Sequence, residues 1–143
     1  MNNIKTTLCA VFGAVGAAIA YIFGGWTEDM VTLIIVMAID FILGILIAAF
    51  FNKSPKTKSG RISSKSCFLG LCKKCTMLLF VLVAYRLDIS LGSDYIKPAA
   101  VIAFIVNELI SIIENAGIMG IPMPEIVTKA IDLLKNKEGN SDA

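Results

Sequence analysis

Histidine is absent from this 143-residue sequence and charge is scarce, with 17% of residues Asp, Glu, Lys or Arg, against about 25% in an ordinary soluble domain. Without histidine there is no Ser-His-Asp triad, no imidazole general base and no His-containing zinc site. Polarity of the kind that keeps a chain disordered is missing too, because 57% of the residues are hydrophobic. A chain this short buries only about two-thirds of the surface it exposes when unfolded. So large an apolar excess therefore argues against a soluble monomer.

What is present is a series of apolar runs, each long enough to be weighed against the roughly 20 residues that cross a bilayer core. Leu8 to Trp26 is uncharged throughout, and Met30 to Phe51 is interrupted only by Asp40. Cys75 to Leu91 carries Arg86 and Asp88 towards its far end, and Pro98 to Met119 contains Asn107, Glu108, Glu114 and Asn115. In the second run, 14 residues are Val, Ile, Leu or Phe. Their insertion free energy, roughly −6 kcal/mol, outweighs the ~3 kcal/mol cost of one central Asp. The fourth run gains roughly −4.5 kcal/mol and loses ~3 for each of two glutamates, so its insertion is conditional on partners, protonation or water. The expected architecture is an all-α integral-membrane bundle of four helices, forming a single membrane domain that oligomerises. A three-span chain with the fourth segment outside is the alternative.

The net charge of +2 conceals a strong asymmetry. Between spans two and three, residues 52–74 carry Lys53, Lys56, Lys58, Arg61, Lys65, Lys73 and Lys74 and no acid. With Lys5 before the first span and Lys129, Lys135 and Lys137 after the fourth, 11 of 13 basic residues fall on one side. The positive-inside rule makes that side cytoplasmic, with both termini inside and a tail at 122–143. These lysines are read as setting topology and attracting anionic lipid head groups rather than nucleic acid. Lys5, the apolar core and Ala18-Ile19-Ala20 also resemble a cleavable signal peptide. The apolar run continues through Tyr21 to Trp26, which favours an intact span.

Three constellations invite a chemical reading. Cys67, Cys72 and Cys75 have the C-x4-C-x2-C spacing of a plant-type iron–sulfur site, which needs a fourth downstream cysteine. The remaining one, Cys9, lies upstream inside a span, so these are read as incidental thiols, and no metal, cofactor or catalytic residue is expected. In the first span the small residues Ala10, Gly13, Ala14, Gly16, Ala17, Ala18, Ala20 and Gly24 form helix-packing faces. They serve contacts within one chain or between chains. In the fourth span Asn107, Glu108, Ser111, Glu114 and Asn115 share an arc of about 120°. Asp40, Glu108 and Arg86 lie at comparable depth, so an Arg86 ion pair with either acid is geometrically open. The polar set is either an internal network or a helix face that lines water in an assembly. Three acids against one base favour the second.

The chain resembles the toxin-secretion/phage-lysis holin family of Gram-positive phages and prophages over roughly residues 28–136. The resemblance rests on Asp40 and Gly44, on Gly70-Leu71-Cys72-Lys73-Lys74, and on Asn107-Glu108-x-x-Ser111-Ile112-Ile113-Glu114-Asn115. Gly120-Ile121-Pro122-Met123-Pro124 and an amphipathic end at Leu133-Leu134-Lys135 complete it. It implies a non-enzymatic protein of the bacterial cytoplasmic membrane that self-associates and opens lesions. Those lesions depolarise the cell and let an endolysin, or a toxin, escape without direct contact. The alternative is a small proton- or cation-coupled transporter or channel using Asp40 and Glu108.

Overall fold

The structure of the protein is a computed structural model, and it describes residues 2–129, 132 and 133. Four helices and no strand are found among the described residues: α1 (Asn2–Ile22), α2 (Glu28–Leu46), α3 (Ser64–Leu91) and α4 (Ile96–Ile118). All four are long and apolar enough to cross a membrane, including the fourth, whose insertion is conditional by energetics alone. A π-helical stretch, Ile47–Phe51, continues α2 until Asn52 turns left-handed at φ 50°. The chain is helical again over 125–129 and at 132 and 133; Leu134, Lys135 and Lys137 lie outside the described residues.

Helix ends fall where local chemistry puts them. α1 stops at Ile22, short of the sequence-based limit at Trp26, because Gly24 and Gly25 take φ of 75° and 99°. At Gly24 the space a Cβ would occupy is filled by the Tyr85 ring. α3 ends at Gly92 in the left-handed region, whose N–H donates to the Asp88 carbonyl. Hydroxyls inside the helices are satisfied locally: Thr7, Thr32, Thr76 and Ser90 each donate to the carbonyl four residues back. Nothing about them obstructs burial in lipid.

The largest departure from the sequence reading is the start of α3. It begins at Ser64, so the irregular part of the basic segment is 52–63 and Lys65, Lys73 and Lys74 belong to the helix. Hydropathy marks only the part of a helix that lies in lipid. A 28-residue helix is about 42 Å long, and its surplus over the ~30 Å bilayer core extends into the head-group layer.

Three helices form the bundle. α4 packs along both α2 and α3, which meet each other over a shorter length. Buried positions recur at three- and four-residue steps on α2 (Met30, Leu33, Met37 and Asp40) and α3 (Val81, Ala84 and Asp88), and at seven-residue steps on α4 (Val101, Glu108 and Asn115). That spacing keeps one stripe of each helix facing its neighbours. The apolar core gathers Met30, Leu33, Val36, Met37, Val81 and Val101, with Phe104 and Ile105 packed against it. α1 stands apart. None of its apolar window is buried, and it makes no extended contact with another helix.

Candidate functional site: a polar cluster inside the bundle

Towards the end of the bundle that carries the basic segment, the buried stripes become polar. Asp40 of α2 is 4% exposed, Glu108 of α4 3% and Asn115 8%. Lys74 reaches between the two acids: its Nζ lies 2.8 Å from Asp40 Oδ2 and 2.5 Å from Glu108 Oε2. The other Asp40 oxygen accepts hydrogen bonds from Ser111 Oγ at 2.6 Å and Asn115 Nδ2 at 3.0 Å. Each helix of the bundle thus contributes to one network, and no described buried side-chain nitrogen or oxygen lacks a partner. The formal sum over Asp40, Glu108 and Lys74 is −1.

Lys74 stands 17 residues before the last residue of α3, about 25 Å along the axis. Asp40 and Glu108 sit near the middle of their helical stretches, so the lysine stem runs into the bundle, opposite to the usual snorkel towards water. Desolvating an ammonium this way is tolerable only because two carboxylates receive it. A crevice of about 120 Å³ leads to the cluster, with Lys56 and Lys73 at its rim and Asp40, Glu108 and Ser111 within. The Lys56 ammonium reaches to 4.0 Å from where a Cβ on Gly44 would stand.

A second polar knot closes the opposite end. Asp88 Oδ1 accepts Ser93 Oγ at 2.6 Å and Ile96 N at 3.0 Å, and Oδ2 accepts Lys97 N at 2.7 Å. A carboxylate in the last turn of α3 therefore caps the first turn of α4. Lys97 is buried; its Nζ donates to the Phe23 carbonyl at 2.6 Å and lies 5.3 Å from the Tyr85 ring centroid. This ammonium meets the carbonyl end of α1, where a cation is favourable, and ties α1 to the bundle.

Several sequence expectations change. Arg86 is exposed beside Tyr85 and Ile89, near the end of α1, and the cation paired with Asp40 and Glu108 is Lys74. Lys74, assigned from sequence to head groups, faces inwards because it continues the stripe Met77, Val81, Ala84, Asp88; that three-four spacing is the signal that could have found it. The polar arc of α4 divides. Glu108, Ser111 and Asn115 turn to the network, while Asn107 and Glu114 are exposed. On α1, Ala10, Gly13, Ala14, Ala17 and Ala18 are exposed, and a Cβ at Gly13 or Gly16 would meet nothing within 4 Å. Gly16 and Ala20 are half-buried. The small residues thus do not serve close helix packing along α1 within this chain. Lys53, Lys56, Lys58, Arg61, Lys65 and Lys73 are exposed. The thiols are free, Cys67 half-buried and Cys9, Cys72 and Cys75 exposed. The knot of Asp88 and Lys97 was given no role from sequence: Asp88 stands near the far end of the third apolar run and Lys97 just before the fourth.

Comparison with known proteins gives a consistent picture. A family model described as the bacteriophage holin family matches residues 17–136. An uncharacterized protein of Halalkalibacterium halodurans is 34% identical, the match covering 85% of this chain and 89% of that protein. One from Listeria innocua is likewise 34% identical, over 89% of this chain and 86% of its own length. An uncharacterized 14.9 kDa protein in the nagH 3′ region of Clostridium perfringens is 31% identical over 96% of this chain and its full length. No solved structure matches the chain.

Proposed function

The chain belongs to the bacteriophage holin family, and from that premise we propose that it oligomerises in the bacterial cytoplasmic membrane and forms lesions there. In this reading the lesions collapse the membrane potential and release an endolysin or toxin made in the cytoplasm, with which the protein need make no direct contact. The whole chain acts as one membrane domain, with both termini and the basic segment 52–74 on the cytoplasmic side, where positive charge is retained. No catalytic step is involved.

The observation that carries the proposal is α1. It is an apolar, small-residue helix, unburied along its span and held near one end. In lipid such helices associate through backbone packing rather than through the hydrophobic effect, so its faces suit a second copy of this chain. Assembly then brings the polar positions of several copies together. Asn107 and Glu114 are already exposed on α4, and they line water first. The Asp40, Glu108, Ser111 and Asn115 set follows as the bundle opens, while Arg86 is already exposed near the end of α1.

Induced expression in a bacterial host, with membrane potential followed by a dye, tests this directly. Abrupt depolarisation, and lysis when an endolysin is co-expressed, is the expected result; cells that grow with an undiminished potential would refute it. The crevice reaching Asp40 and Glu108 supports a second reading, a small proton or cation channel. Saturable, ion-selective flux without passage of proteins or large dyes would favour that reading.

A further inference from the structure

We propose that the groove between residues 56–59 and the first turns of α3 is a binding site for the phosphate head group of an anionic phospholipid. The groove encloses about 770 Å³ and is lined by Lys56, Lys58, Lys65 and Lys73 together with Ser63 and Ser66. No acidic residue lines it, and the whole segment 52–74 contains none. Among the described residues none of these four lysines forms an ion pair. The two sources of charge are independent parts of the chain, the loop and the helix, brought together by the left-handed turn at Asn52 and the packing of Ser54 N against the Gly60 carbonyl.

The shape selects a lipid over a free anion. Lys65, Leu69 and Lys73 share one stripe of α3, so an apolar side chain stands between two ammonium groups about 12 Å apart along the axis. Leu69 lines the groove and is 55% exposed, as are its helix neighbours Phe68 at 65% and Leu71 at 51%. A ligand with an anionic head and acyl chains would engage both kinds of surface at once. α3 crosses from the head-group layer into the apolar core over these turns. Lys56 and Lys73 also form the rim of the crevice leading to Asp40 and Glu108. Occupation of the groove by a phosphate therefore alters the field at the polar cluster.

The proposal stands apart from lesion formation, and its test does not depend on sidedness. Full-length protein is placed in nanodiscs of phosphatidylcholine doped with phosphatidylglycerol, and retained lipid is read by native mass spectrometry. Selective retention of phosphatidylglycerol is expected, falling more than about tenfold in Lys58→Gln/Lys65→Gln/Lys73→Gln. A charge-matched control, Lys5→Gln/Lys53→Gln/Arg61→Gln, removes charges that do not line the groove and should retain the lipid. Equal loss in both triple variants reduces the effect to general charge attraction and overturns the site. Displacement by millimolar inorganic phosphate, or by an RNA oligomer, overturns the lipid as its occupant. Lys58→Gln and Lys65→Gln singly, each expected to weaken retention, keep the test open if the triple variant does not fold.

Discussion

At the level of single residues, Lys74 decides how two acids can sit inside the bundle. Its ammonium contacts Asp40 and Glu108, so removing it leaves two carboxylates with no cation between them. Lys74→Met is expected to cost about 3–5 kcal/mol, the range found when one partner of a buried ion pair is lost. Unfolding in mixed detergent micelles measures it. Combining Lys74→Met with Asp40→Asn and Glu108→Gln should recover most of that loss, because the repulsion then disappears. A triple variant as unstable as the single one would show that the loss does not come from the two bared carboxylates. Much of this cluster was legible: Asp40, Glu108, Ser111 and Asn115 are conspicuous because lipid penalises them. Lys74 was not, since a lysine beside a span usually turns to water. Only its place on the stripe ending at Asp88 marks it as inward.

At the level of helices, the four spans were legible from apolar length, and their limits were not. Hydropathy places the start of the third span at Cys75, whereas hydrogen bonding carries α3 back to Ser64. It also runs the first span through Gly24, whose positive φ ends α1. Gly24→Ala should cost about 1–2 kcal/mol from the left-handed backbone alone, and more because the Tyr85 ring must move. A lower unfolding midpoint in detergent checks it. The tie between α1 and the bundle centres on the Lys97 ammonium at the Phe23 carbonyl. Lys97→Gln should loosen that end of α1 and leave α2, α3 and α4 packed. Cysteines placed at Ala20 and Ile89, which line one hollow, would report it in a background lacking the native thiols. Their disulfide yield should fall in the variant, while hydrogen exchange in α4 stays slow.

At the level of the whole molecule, charge placement and helix count work together. In the proposed topology, four spanning helices put both chain ends and residues 52–63 on the same face, together with most of the lysines. A thiol introduced at Ser59 should react with a membrane-impermeant reagent in inverted vesicles and not in intact cells; the reverse pattern would invert the proposed topology. The attachment of α1 at one end has a geometric consequence for any assembly built on it. A helix anchored to its own bundle and packed along the bundle of the next copy makes a head-to-tail contact, with different surfaces on the two sides. Such contacts propagate until the rotation between neighbours closes a ring, or run on as an open array when it does not. The angle at which Lys97 holds α1 would then set the rotation per copy, and through it the circumference of the hole.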